Sequence, residues 1–366
     1  MPVLALKDTF TARALGVMWN NYEQSLGIAP YLGRSFFGTD KKIGLKMAFI
    51  KGRNGLPVAL KGANFDAKAP LRNPIGFSTI ENEMPFFREG YVVSEKDQQE
   101  YDTFVNTENV AMANQILKEI AKKPLDLIQG ADVVPERMIW SLLAPVDGVP
   151  KIDVVVDGGD TYTIDYTGDN GVAYKAKNYM GIKGASAWSN PATATPIADL
   201  VALQEKASDN GDNVTTFVMN RKTWKKLVAA EDTKLQVLGA QAAQAGMMLK
   251  DADVKAFLLA NFNITILEYN KLYVDENGAT KPFIPDDVVS AISGAITTLG
   301  TVWYGTTPEE RSGSLTDGTL SIVNTGVAVY TYTTNHPINT HCVVSEIVLP
   351  SYENMDRVYV MNVNEQ

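Results

Sequence analysis

Ser186 sits in Gly-Ala-Ser-Ala-Trp (184–188), the nearest approach in this chain to a nucleophile elbow. A nucleophile on a sharp strand-to-helix turn needs small residues on both sides, and Trp188 stands where glycine is required. Ser186 therefore reads as a loop serine. His341 and Cys342 are adjacent and suggest a base beside a thiol. Neighbours on a strand point to opposite faces, so these two cannot easily pair as base and nucleophile. They read as strand residues with a buried cysteine. Asp286-Asp287 and Glu309-Glu310 are the acidic pairs, of the kind used for acid/base work or calcium binding. One precedes a predicted strand and the other follows a turn, both ordinary places for solvated acids. Asp275-Glu-Asn-Gly278 lacks calcium-loop spacing and is explained by a hairpin turn. The one basic cluster, Arg-Lys-Thr-Trp-Lys-Lys (221–226), reads as a solvated helix face, with an acidic neighbour or DNA as the alternative. No GxxxxGK[ST] and no GxGxxG is present. No catalytic residue, metal ligand or cofactor is expected, and the chain does not read as an enzyme.

The 366 residues are 45% hydrophobic, enough for a packed core, and the net charge is -9 from 33 basic and 42 acidic side chains. That balance argues against a protein whose main task is gripping nucleic acid through phosphates. A single cysteine excludes an internal disulfide framework, and two histidines leave little for a metal site. The N-terminal stretch reads as no secretory signal, and no apolar run is long enough to cross a membrane, so synthesis in a reducing cytoplasm is expected.

The elements that must position any site follow from periodicity. Leu15, Met18, Trp19 and Tyr22 predict a short helix within an N-terminal arm. Leu45–Gly52 reads as a strand, Asn54-Gly55 as a turn and Leu56–Gly62 as the return strand. Met112, Ile116 and Ile120 mark a helix over 95–123, ended or kinked by Pro124, and a second helix spans Pro135–Ala144. Together they predict a rod interrupted near Gly130. Lys151–Thr167 is a hairpin. From Pro191 helices and strands alternate, which implies a compact sheet flanked by helices. The last third returns to strands: 319–335, 342–350 and 356–363, the final one far from the rod in sequence but free to lie beside it in space.

Phe86 and Phe87 pose the remaining question, since the segments on both sides look too polar and glycine-rich to bury them. Two packings stay open: back onto Tyr101 and Phe104, or onto another copy of the chain.

The order of arm, long excursion, helical rod, hairpin, α/β domain and return to β resembles that of tailed-phage major capsid proteins. Five stretches resemble the lambda capsid protein E family in particular: YLGRSFFGTDKKIGLKMAFIKGRNGLPVAL (31–60), DVVPERMIWSLLAPVDGV (132–149), FVMNRKTWKKLVAAEDTK (217–234), ITILEYNKLYVDENGATKPFIPDDVV (264–289) and EIVLPSYENMDRVYVMNV (346–363). The resemblance runs from about residue 25 to 363, and 306–340 departs from it. It implies an α+β tailed-phage major capsid fold. The implied parts are an N-terminal arm (1–42), an E-loop (43–93), a peripheral domain with spine helix and β-hairpin (94–190), an axial domain (191–305), and a variable loop with return strands to the peripheral domain (306–366).

The same resemblance implies homo-hexamers and homo-pentamers that close an icosahedral head around double-stranded DNA contacted non-specifically. A portal and a separate scaffolding protein are the further partners expected, and the departing stretch 306–340 reads as an extra loop or as a site for a decoration protein. Assembly belongs in the host bacterial cytoplasm, and the product in the virion. The residues it points to as a subunit interface are Trp19, Tyr22, Phe36, Phe37, Arg53, Asn54, Met84, Phe86, Phe87, Arg88 and Glu89, with Met84, Phe86 and Phe87 at the base of the E-loop. An encapsulin-type shell shares the fold and is the near alternative; an α/β hydrolase is the distant one.

Overall fold

The computed structural model describes residues 10–26, 31–51, 78–107, 110–155, 160–239, 248–293, 298–311 and 318–365. The chain divides into two compact units, each assembled from separated stretches: Met1–Met47, Asn82–Met138 and Thr301–Ser351 form one, and Ala48–Glu81, Ile139–Gly300 and Tyr352–Gln366 the other.

In the first unit, helix α1 (Ala12–Leu26) fulfils the predicted amphipathic pattern, with Leu15 and Trp19 one turn apart and both buried. The Ala12 N–H at its start donates to the hydroxyls of Thr319 and Thr331, each at 3.1 Å. Strands β1 (Phe37–Lys42), β4 (Phe86–Val93), β13 (Gly300–Gly305), β14 (Gly318–Val323), β15 (Val327–Thr333) and β16 (Thr340–Pro350) form one six-stranded sheet. Its order is β1-β13-β16-β15-β14, with β4 also pairing β16. One face carries Val329, Cys342 and Val344 into a core with Phe10, Leu15, Trp19, Tyr101, Ile120 and Ile128. Alternation along the strands sends Leu320, Ile322, Tyr330, Tyr332 and Val343 to the other face.

Helix α2 (Glu95–Asn106) starts with a reciprocal cap: the Asp97 N–H donates to Ser94 Oγ at 3.3 Å, and the Ser94 N–H to Asp97 Oδ2 at 3.2 Å. Helix α3 then runs unbroken through Val110–Leu143 with Pro124 and Pro135 inside it. The helix thus neither ends at Pro124, one of the two outcomes expected there, nor breaks near Gly130. An interior proline removes one backbone hydrogen bond and disfavours the helix by about 3 kcal/mol, and a glycine by about 1 kcal/mol. Ile120, Ala121, Ile128, Met138, Ile139, Leu142 and Leu143 are all buried along α3. Each large apolar side chain among them contributes about 1.5–3 kcal/mol, so packing overrides the local preference. Strands β2 (Lys46–Lys51) and β3 (Ser78–Glu83) pair as a separate two-stranded ribbon. The predicted turn at 52–55 and return strand at 56–62 lie outside the described residues.

The second unit is built on a five-stranded sheet. Its strands are β7 (Tyr179–Lys183), β17 (Val358–Glu365), β12 (Val288–Ser293), β8 (Val214–Met219) and β9 (Thr265–Glu268), in that order. All six residues of β12 are buried, as its apolar run and central position require. Helices α5 (Pro196–Asp209), α6 (Arg221–Ala229), α7 (Glu231–Leu238) and α8 (Asp251–Phe262) contribute Leu200, Leu203, Trp224, Leu227, Val254 and Leu258 to its core. Asn220 caps α6 by accepting from the Thr223 N–H at 2.8 Å. Two hairpins form where they are expected, β5 (Lys151–Val155) with β6 (Thr161–Asp165) and β10 (Leu272–Val274) with β11 (Thr280–Pro282), the predicted turn of the first at 157–159 lying outside the described residues. Gly278 supplies the positive φ of 78° in the second. The final strand pairs with β12 and β7. Its alternation shows that it is a strand; only the pairing shows which sheet it completes.

Candidate subunit interface

Strand β4 lies antiparallel on β16, with Phe86 opposite Ile347, Phe87 opposite Glu346, Arg88 opposite Ser345 and Glu89 opposite Val344. Met84, just before it, is 3% exposed, and its N–H donates to Leu45 O at 2.8 Å. Gly305 makes room for Met84: a Cβ there would fall 2.8 Å from the Met84 methyl and 2.6 Å from Ile347. Phe86 is 42% exposed and lies under the Arg88 guanidinium, 4.8 Å from the ring centre. Arg88 also pairs with Glu309, whose second oxygen accepts from Ser345 Oγ at 2.8 Å. Glu89 is exposed and Phe87 half-buried. Neither phenylalanine belongs to the cluster that holds Tyr101 and Phe104. Their own strand pairing, not a fold back onto α2, holds this segment.

A buried polar knot ties down the segment that precedes β1. Arg34 Nη2 lies 2.8 Å from Asp132 Oδ1 and also donates to the Asp132 carbonyl. The N–H groups of Gly33 and Arg34 donate to the two oxygens of Glu136, at 2.9 and 3.2 Å. Asn324 donates to Asp132 Oδ1 at 3.1 Å. Burial works against the Arg34 charge, but Asp132, Tyr304 and Glu136 together outweigh it, so the guanidinium is held more firmly protonated than usual. Glu346 is 1% exposed, and neither of its carboxyl oxygens has a hydrogen-bond partner among the described residues. Burial pushes that carboxyl well above its ordinary range, against the partial relief of Arg34. The sequence reading missed this knot. Its one visible signal is Glu346 itself, an acid inside the apolar run Val-Val-Ser-Glu-Ile-Val-Leu (343–349).

The other residues expected at an interface have diverse positions. Trp19 is 2% exposed and Phe37 6%, so both are occupied in the packing of their own unit. Phe36 is half-buried in the turn before β1. Tyr22 falls within α1. Arg53 and Asn54 lie outside the described residues.

The candidates for chemistry do not converge. Ser186 is exposed in a short turn. The His341 ring stacks on Tyr332 at 4.8 Å, whereas Cys342 points into the core. The basic cluster and the acids neutralise each other. Lys222 lies 2.7 Å from Asp286, Lys226 pairs with Asp287, and Arg221 lies 2.8 Å from Glu268 and 3.0 Å from Asp251. Burial works against the Glu268 charge, but Lys255 and Arg221 hold its carboxyl below the usual range. Among the described residues no group of three His, Cys, Asp or Glu is placed to hold a metal ion, and no helix is long and apolar enough to cross a membrane.

The family model described as phage major capsid protein E matches residues 11–336. No curated protein matches the chain. A putative capsid protein of a prophage from E. coli CFT073 is similar in structure at a TM-score of 0.51 and 14% identity, covering 96% of this chain and 99% of that one. A phage-related protein from Bordetella bronchiseptica RB50 is similar at a TM-score of 0.50 and 12% identity, covering 96% and 97%.

Proposed function

Since the chain belongs to the phage major capsid protein E family, and so is a shell protein whose copies assemble into the capsid of a virion, we propose that it does so as hexamers and pentamers closing an icosahedral head around double-stranded DNA. The family match over residues 11–336 carries the reading. Many modest contacts per copy then add up to a stable particle.

In this reading residues 1–42 are the arm and 43–93 the E-loop that lies over a neighbouring copy. Residues 94–190 belong to the peripheral domain, 191–305 to the axial domain, and 306–366 to a variable loop with return strands. Phe86 is the best contact residue among those named, because it is exposed while its strand is held by β16. Arg88, Glu89, Phe87 and Phe36 surround it or share its partial exposure, and Arg53 and Asn54, outside the described residues, are further contacts in this reading. Trp19, Met84 and Phe37 act from within, by fixing the elements that carry the contacts.

A shell role needs no catalytic group, which agrees with the dispersed serine, histidine and cysteine. The net charge of -9 suits DNA that is contacted non-specifically. Assembly takes place in the host bacterial cytoplasm with a separate scaffolding protein and a portal. No observation favours a cellular nanocompartment over a phage head.

The test is the size distribution of the purified chain by light scattering, with negative-stain microscopy of the largest fraction, repeated with the phage's scaffolding protein added. Shells, or hexamers and pentamers, are expected. Persistent monomer with the scaffold present overturns the reading.

A further inference from the structure

The strands that end the two larger sheets differ in one respect. β1 carries Asp40, Lys41 and Lys42; β4 carries Arg88 and Glu89; β7 carries Lys183; β9 carries Glu268. Charges of this kind guard an edge against pairing with another chain. β14, Gly-Thr-Leu-Ser-Ile-Val, has no charge and no proline, and its pairing with β15 shows no bulge. Its outer edge pairs with no described residue. Leu320 and Ile322 stand beside that edge at 39% and 42% exposed, on the face opposite the core.

We propose that β14 is a copy-to-copy pairing site, at which the edge takes the β14 of a second copy, antiparallel, about a two-fold axis normal to the sheet. An unpaired edge asks for an extended strand, and in a shell built from this chain the strand on offer is the chain's own. The other sheet-ending strands would bring a charge against Leu320 and Ile322, whereas β14 meets itself without one. A two-fold normal to the sheet keeps every side chain on its own face, so the residue on the axis meets its own counterpart. With Ser321 on the axis, Leu320 faces Ile322 of the partner subunit, and the reciprocal pair forms as well. That register makes two apolar cross-strand pairs. Placing Leu320 on the axis makes one and sets Ile322 against a glycine. One strand pair buries less surface than a stable dimer needs, so the contact holds in the shell and not between free subunits. The inference rests on the shell reading.

The test uses assembled shells of the full chain carrying Leu320→Cys together with Ile322→Cys. The only native thiol, Cys342, is buried and stays silent. Oxidation is expected to move most of the protein to a disulfide-linked dimer, with the bonds mapped by mass spectrometry between positions 320 and 322 of different copies. A second variant, Leu320→Lys, sets like charges beside both edges. It is expected to abolish shells, or to lower their melting temperature, with the subunit's circular dichroism unchanged. Intact double-cysteine shells that stay monomeric on oxidation, or Leu320→Lys shells as stable as the unmodified ones, overturn the edge assignment alone. Failure of the unmodified chain to form shells with its scaffold overturns the shell reading and this inference with it.

Discussion

Arg34 and Asp132 form an ion pair, 2.8 Å between Nη2 and Oδ1, that ties the segment before β1 to the middle of α3. Asp132 is 7% exposed, so the pair is largely withdrawn from water. Replacing Arg34 with methionine keeps much of the packing and leaves a buried carboxylate without its cation. Breaking such a pair costs about 3–5 kcal/mol. Urea unfolding of Arg34→Met is expected to show that loss as a lower midpoint with an unchanged slope.

Glu346 makes stability depend on pH. Its folded carboxyl titrates well above the ordinary glutamate value of 4.5 because burial disfavours the charge. The folded state therefore holds a proton that the unfolded state releases. Its contribution is complete below the unfolded value and shrinks as pH rises towards the folded one. Glu346→Gln removes this dependence. Relative to the original chain the variant gains stability steadily as pH is raised from 4.5, which unfolding curves at pH 5 and pH 8 would show. A constant difference between the two would place the titration elsewhere.

Two glycines predict opposite outcomes for the same substitution. At Gly305 a Cβ would fall 2.6 Å from Ile347 and 2.8 Å from Met84, so Gly305→Ala overpacks the base of β4 and costs about 1–3 kcal/mol. At Gly130, inside α3, a Cβ would meet nothing within 4 Å, so Gly130→Ala raises stability by up to about 1 kcal/mol. Paired thermal melts measure both.

Cys342 is inert while the protein is folded. Burial pushes its thiol up to about 12, so little thiolate exists near neutral pH and reagents have no path to it. A thiol-reactive dye at pH 8 is expected to label the native chain negligibly and to label one site per chain once guanidinium unfolds it.

Much of the secondary structure was legible because its causes are local. Leu15 and Trp19 lie one helical turn apart, and Asn277-Gly278 supplies a turn with positive φ. The candidate interface was legible only in part. Its strand, β4, was not read from the sequence, and periodicity cannot say which of its residues find partners at home. The acids and lysines told the same partial story: Asp286 is exposed, as expected of a solvated acid, but only the structure pairs it and Asp287 with Lys222 and Lys226, more than sixty residues away.

The sequence by itself determined most element types and the family, whose pattern is spread along the chain in order. Tertiary structure decided three things. It carried α3 through Pro124 and Pro135, because packing along the helix exceeds the local penalty. It placed the last strand between β12 and β7, because strand pairing joins residues distant in sequence and leaves no mark in either one. It buried Trp19 and exposed Leu320 and Ile322. Hydrophobicity states that a side chain prefers to leave water; which apolar side chains succeed depends on the surfaces that the rest of the chain brings to them.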